Sequence, residues 1–532
     1  MEEVESESDT CLSVLFLEDF MNGAECVIKA AKDSGIEVCF ANPGTTELPL
    51  VVALDTVEGI RPVLSLFEGV CTGAADGYAR MLQKPAMVLL HLGPGLANGI
   101  ANLHNARRAH SKVVTLVGEH STWHRASDPP LAMDIESLAQ TVSGWQRTCC
   151  SADLLGQDMA DAIGAAQIGQ IATLIVPFDL QTKKCWNSAV IPYKQDKRSV
   201  SKDVVKAAAA LLRGSKKAAL VLGNKYIGRK ELMVAARIKQ ACGYDLITEN
   251  FPAHIERGAG LPDVSRIPYL PEMAIDMLSK YEMFVFVGAK EPVAFFGYEG
   301  IPPNFLKEGQ RKFHLSDYNQ DLMEVLDILA DELDAPKIIN PDILTSLKRP
   351  EIPTGALNPE KICSVIAALQ PEGAIVVEEA VTTGLMYYPI TSGVLPFSLL
   401  TLTGGAIGQG APCAVGAAIA CPDRPVINFQ ADGAGMYTLQ ALWTEAREGL
   451  NVTTLICSNR SYDILKLEYG RLGVSPGKCA SHLTDLAGID WVNLGKGMGV
   501  PSVKVTTAEE LATELGKALN EQGPNLIQMV NG

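Results

Sequence analysis

Short apolar runs recur along this chain, each followed by a glycine or polar turn and then by a segment long enough for a helix. Runs near Val38–Ala41, Val63–Phe67, Ala86–His91, Val113–Gly118 and Ala172–Val176 predict strands of a first α/β block. Ala218–Leu222, Phe284–Val287 and Phe313–Ser316 predict strands of a second. In the remainder, Val426–Gly433 reads as a buried strand running into a glycine turn, Met436–Glu448 as a helix, and Val452–Asn459 as another strand. The predicted class is α/β, with three doubly wound parallel-sheet domains.

The polar stretch Asn187–Lys202 and the segment carrying Pro350, Pro353 and Pro359 read as linkers. They divide the chain into an acidic tail over 1–19 and domains over 20–190, 198–350 and 356–532. A length of 532 residues is itself too great for one core.

A strand–helix–strand unit closes as a right-handed parallel crossover, so its strands end at the same edge of the sheet, where open α/β sheets bind ligands. Here that brings Asp432 and Asn459 together although they are 27 residues apart. A carboxylate and a carboxamide oxygen beside the Gly433 turn suit Mg²⁺, which keeps its other positions for water and phosphate oxygens. Taken singly, Asp-Gly is equally a tight turn and Asn459 a loop cap.

Composition narrows the partners. A net charge of −16 argues against nucleic acid and against a basic membrane face, and no apolar run approaches the ~20 residues of a membrane span. The N-terminal segment is acidic and lacks Lys and Arg through residue 19, unlike a transit peptide, so a cytoplasmic location is expected. Thirteen scattered cysteines with no Cys-x-x-Cys pair support neither a disulfide framework nor zinc, and the vicinal Cys149-Cys150 pair reads as structural.

Two phrases carry more than composition. The string from Gly404 to Tyr469 includes Gly404-Gly-Ala-Ile-Gly408, the Asp432-Gly433 turn and Asn459. Glu68 is followed after seven residues by Asp76-Gly-Tyr-Ala79. Both resemble signatures of thiamine diphosphate-dependent enzymes, and Leu439-Gln-Ala-Leu-Trp-Thr-Glu-Ala446 is most similar to benzoylformate decarboxylases, with acetolactate synthases a near second. The resemblance covers nearly the whole chain from about residue 20. It implies thiamine diphosphate and Mg²⁺ as cofactors, a small 2-oxo acid as substrate, and a chemistry running through an ylid and an enamine. It also implies a homodimer or homotetramer, with each cofactor between domains of different subunits.

Carried over position by position, the resemblance makes Glu68 the partner of the cofactor's aminopyrimidine ring and Ile407 the apolar wedge beneath it. Gly408, Gly433, Ala434 and Asn459 would line the cofactor, while Asp432, Asn459 and the Ser461 carbonyl would hold the metal. In Asn42-Pro-Gly-Thr-Thr-Glu-Leu-Pro49, Thr45 takes the place of a substrate-binding serine, and His91 aligns with a substrate-side histidine. Glu119, His120 and His124 belong near the mouth of the site, and Arg460 either adds charge near the diphosphate or faces solvent.

The chain also departs from the pattern. Ala431 and Ala434 replace the usual glycine and serine around Asp432, and one lost hydroxyl contact would weaken cofactor binding about tenfold. Phe295 stands where the decarboxylases place a second histidine, and Gly223-Asn-Lys225 is too short a signal to assign FAD. The reading that results is a 2-oxo acid decarboxylase. The alternatives are an acetolactate synthase-like carboligase, with FAD as an option, and a catalytically silent binding module.

Overall fold

The computed structural model describes residues 21–185, 191, 199–223 and 225–531. The acidic N-terminal segment and most of the expected linker at 187–202 lie outside the described residues. Three parallel sheets, each flanked by helices, organise the rest, which is the expected α/β class.

The first sheet has six strands in the order Arg61–Leu64, Val38–Asn42, Ala86–Leu90, Val113–Glu119, Ile171–Pro177, Trp145–Thr148, all parallel. Its four inner strands are predominantly apolar because helices cover both faces. Phe40, Val88 and Leu90 enter one hydrophobic cluster, while Cys39, Ala41, Met87 and Leu89 enter another. The strand expected at Val63–Phe67 forms at Arg61–Leu64, on the edge of the sheet, where Pro62 is tolerated because its missing N–H is not needed by a second neighbour. The strand Trp145–Thr148, too polar to show in the pattern, completes the opposite edge.

The middle sheet runs Ser265–Arg266, Asp245–Thr248, Ala218–Leu222, Met283–Val287, Arg311–Ser316, again all parallel. The third places Phe397–Thr401, Ile375–Glu379, Val426–Ala431, Val452–Ser458, Asn525–Val530 and Ser502–Val505 side by side in parallel. Ile255–Arg257, which follows the middle sheet's second strand in the chain, adds antiparallel to its edge. The units are therefore interlocked as well as linked.

The helix Glu68–Leu82 crosses the helix Gly410–Ala420 with backbones nearly touching. A Cβ on Gly77 would fall on the Cys413 carbonyl, and one on Gly416 on the Ala74 carbonyl. Beneath this crossing Asp76 and Arg80 form a fully buried ion pair, with Nε–Oδ1 at 2.8 Å and Nη2–Oδ2 at 2.6 Å. Arg80 also donates to the carbonyls of Thr401 and Ala253 and to the Thr403 hydroxyl, and Asp76 accepts from Gln409 and Ser111.

The cysteines differ from expectation in one respect. Cys26 and Cys185 are bonded, tying the helix Gly23–Asp33 to the short strand Lys184–Cys185. At 159 residues apart they carry no local spacing signal. Cys149 and Cys150 are free, the first buried and the second exposed. Among the described residues no helix is long and apolar enough to cross a membrane.

Breaking one partner of a buried pair leaves an uncompensated charge, which costs about 3–5 kcal/mol. Arg80→Met is expected to lower the urea midpoint strongly, whereas Arg61→Met, which removes a half-exposed pair with Glu448, should leave it nearly unchanged. Equal small shifts in the two variants would show that the buried pair does not hold the units together.

Candidate active site

The carboxyl edge of the third sheet opens into a pocket lined by Ala380, Val381, Thr382, Thr383, Ile407, Ala431 to Ala434, Cys457, Asn459 and Ser461 to Ile464. The crossover geometry is as the sequence predicts: Val426–Ala431 and Val452–Ser458 pair in parallel up to Ala431 and Cys457. Asp432 and Asn459 follow at one edge. The helix predicted over Met436–Glu448 begins only at Ala441, and the glycine turn before it is a short helix of its own, Asp432–Gly435; between the two, the Thr438 hydroxyl donates to the Gly408 carbonyl at 2.9 Å.

Asp432 is 3% exposed, and the partners of its carboxylate are backbone amides: Gly433 N on Oδ1 and Arg460 N on Oδ2, each at 2.8 Å. Burial pushes its carboxyl above the ordinary range, these amide bonds oppose the shift, and nearby Asp463 adds to it. A buried carboxylate that faces a pocket without a cationic partner of its own fits a metal cation. Asn459 gives its amide to Asp463 at 2.9 Å and accepts from Ser461 N on Oδ1 at 3.0 Å. Ser461 lines the pocket, and its hydroxyl is already used in donating to the Thr484 carbonyl. Ala434 is buried and offers no hydroxyl; Thr382, which the sequence reading missed, lines the same pocket.

Ile407 reaches the pocket because the turn at Gly408 is held from below. Gly408 has φ 97°, and a Cβ there would stand 2.6 Å from that of Tyr437. Glu379, at the end of Ile375–Glu379, accepts four N–H groups: Gly408 N at 2.7 Å and Gln409 N at 3.2 Å on Oε1, and Gly410 N at 2.6 Å and Gln430 Nε2 at 2.9 Å on Oε2. Burial raises its carboxyl pKa, and these four donors pull it back. No motif marked Glu379; its role depends on a loop some thirty residues away in sequence. The Phe295 ring lies against Gly405, so the position read as a lost histidine does adjoin this loop. Arg460 is exposed, outside the pocket lining, with a left-handed backbone at φ 56°.

On the first sheet, Glu68 opens the helix Glu68–Leu82 at 8% exposure and accepts from Asn98 Nδ2 on Oε2 at 3.0 Å. Asn102 donates to the carbonyls of Gly69 and Gly408, which ties the start of this helix to the Gly408 turn within one chain. His91 precedes the helix Leu92–Arg108, and its Nδ1 meets Glu47 Oε2 at 2.8 Å and the Thr46 hydroxyl at 3.2 Å. Glu47 is fully buried, held by Gly44 N and Thr46 Oγ1, and lies directly on Gly118. It therefore orients the imidazole through Nδ1, which leaves Nε2 as the ring nitrogen able to give or take a proton. Thr45 is exposed, and the hydroxyl that meets His91 belongs to its neighbour Thr46. Glu119 sits one residue from Gly118, buried and paired with Arg125; the rings of His120 and His124 lie 5.9 Å apart beyond it.

The matches to known proteins fall on these two sheet edges. Residues 21–140 match the N-terminal TPP binding domain of the thiamine pyrophosphate enzymes, and residues 390–529 match their C-terminal TPP binding domain. The acetolactate synthase-like large subunit IlvX of Mycobacterium tuberculosis is 46% identical over 96% of this chain and 99% of its own length. The chain belongs to the thiamine pyrophosphate enzyme family. A benzoylformate decarboxylase from Pseudomonas aeruginosa is 28% identical over 93% of this chain and 96% of its own. The fold superposes on the thiamine diphosphate-dependent 4-hydroxybenzoylformate decarboxylase of Rhodococcus jostii with a TM-score of 0.83 at 24% identity, covering 96% of this chain and 99% of that one.

Glu379→Gln leaves one amide oxygen facing four donors and turns an NH₂ group toward them. The expected result is faster hydrogen exchange at Gly408–Gly410, on the order of tenfold or more, with the strand amides of Ile375–Val377 unchanged. Unaltered exchange at Gly408 would remove Glu379 as the support of this turn.

Proposed function

We propose that this protein is a thiamine diphosphate- and Mg²⁺-dependent 2-oxo acid decarboxylase. The observation that carries the reading is the His91–Glu47 pair on the sheet edge next to Glu68: an imidazole 24% exposed and oriented by a buried carboxylate, suited to giving and taking a proton beside a carbonyl substrate. Bound thiamine diphosphate supplies a carbon nucleophile and an electron sink for the keto carbon of a 2-oxo acid.

Around it the chain's own residues divide the work. Glu68 would hold a proton at its carboxylate for the aminopyrimidine ring. Asp432, Asn459 and the Ser461 carbonyl would hold Mg²⁺, and Gly433, Ala434 and Thr382, which line the same pocket, would lie beside the diphosphate. Ile407, on the Gly408 turn, would support the cofactor from below. His91 delivers the proton through Nε2, and Thr45 or Thr46 accommodates the substrate carboxylate. Exposed apolar residues beside both edges, Leu48 and Leu66 on one and Leu465 and Leu483 on the other, support a homodimer or homotetramer in which a second copy covers the site.

A second reading, a carboligase joining two 2-oxo acids, rests on the 46% identity to the acetolactate synthase-like relative. FAD is an option only in this second reading; at the edge where such sheets take dinucleotides, Gly223 N bonds Val287 O and Gly223 packs on Ala289.

Product analysis by NMR with thiamine diphosphate, Mg²⁺, pyruvate and benzoylformate separates the readings: aldehyde alone fits the decarboxylase, and an acetohydroxy acid fits the carboligase. The metal assignment has its own test. Because Asp432 titrates above its unfolded value, its ionisation costs the cofactor-free fold stability as pH rises through that titration. Stabilisation by Mg²⁺ with thiamine diphosphate is expected to grow over the same interval and to vanish in Asp432→Ala. Retention of the full melting-temperature gain in that variant would overturn the metal site.

A further inference from the structure

The carboxylate of Glu68 does not stand alone at the start of its helix. Asn98, in the second turn of Leu92–Arg108, donates Nδ2–H to Oε2 at 3.0 Å, while Oε1 lies over Gly95, 3.5 Å from where a Cβ of that residue would stand. We infer that Asn98 is a positioning residue for Glu68, occupying one carboxylate oxygen so that the other faces the cofactor's pyrimidine nitrogen. This inference rests on the thiamine diphosphate reading.

Three observations carry it. The amide nitrogen of Asn98 can only donate, so the bond favours the ionised carboxylate and fixes its rotamer. Asn98 is exposed and contributes nothing to the core, so packing does not explain an asparagine there. Its place is nonetheless rigidly set, because the same helix face continues at i+4 and i+7 with Asn102 and Asn105. Asn102 bonds the Gly69 and Gly408 carbonyls, and Asn105 both donates to Ala406 O at 2.7 Å and accepts from Ala406 N at 3.2 Å. Only the first asparagine of this ladder reaches a titratable side chain. The step it supports is a reversible transfer: a proton leaves the Glu68 carboxyl for the ring nitrogen and returns along the same bond, with no change of oxidation state.

The test compares wild type, Asn98→Ala and Asn98→Asp, the last nearly isosteric but without the donor. Apo melting temperature and thiamine diphosphate affinity by fluorescence titration are expected to stay close to wild type in Asn98→Ala. Deuterium exchange at the thiazolium C2 of the bound cofactor, read by acid quench and NMR, is expected to slow on the order of tenfold. The acid limb of its pH profile should move about one unit upward, and further in Asn98→Asp, where a second negative charge is added. A purely structural asparagine would not move that limb. Wild-type rates with an unshifted profile in both variants would overturn the inference. Exchange in the wild type no faster than in free cofactor would instead overturn the thiamine diphosphate reading itself.

Discussion

The buried Asp76–Arg80 pair is the constraint on which the other contacts depend. A guanidinium presents five donors in a fixed plane, and here they reach Asp76 on its own helix, Thr401 and Thr403 on the third unit, and Ala253 on the segment leaving the middle sheet. Such a pair is expensive to desolvate and tolerable only when its remaining positions are bonded, as they are here through Gln409 and Ser111. The arrangement is correspondingly specific. The helix Glu68–Leu82 cannot slide against Gly410–Ala420 without breaking several charge-assisted bonds at once. Glu68 and the Gly408 turn, at the starts of these helices, therefore hold a fixed relation.

Electrostatics within the two sheet edges then differ in kind. On the third sheet, Glu379 spends its whole carboxylate on four N–H donors and has nothing left for a ligand, so it shapes a turn. Asp432, equally buried, has two amides and an open pocket, so it retains the capacity to bind a cation. On the first sheet the carboxylates divide similarly. Glu47 is saturated by Gly44, Thr46 and His91 and orients a ring, while Glu68 keeps an oxygen without a donor. The count of donors around each acid, more than its burial, separates supporting carboxylates from those able to react.

The legible part of the site consisted of residues that chemistry and backbone geometry confine to short, contiguous phrases. Asp432-Gly433, Gly404 to Gly408 and Glu68 to Ala79 each lie at a strand end or a helix start; periodicity placed the first at a sheet edge, and the resemblance to the family's phrases marked the other two. Glu379, Glu47 and Asn98 escaped notice because each acts on a partner 29 to 51 residues away, and nothing in their neighbours marks the contact. Thr382 was hidden similarly, since it joins the site only because the loop after Ile375–Glu379 folds onto the same pocket as Ala434. The Cys26–Cys185 bond joins the entry of the first unit to its exit and has no local signature either.

By itself the sequence determined the α/β class, most strands of the first unit, the two strands that carry Asp432 and Asn459, and the edge those residues share, because apolar runs and right-handed crossovers leave little freedom in a parallel sheet. Tertiary structure alone decided which hydroxyl meets His91, where the helix after Asp432 begins, and which carboxylates are saturated. Those outcomes turn on individual hydrogen bonds between segments distant in sequence, where a residue's chemistry is set by the donors and acceptors that packing brings to it.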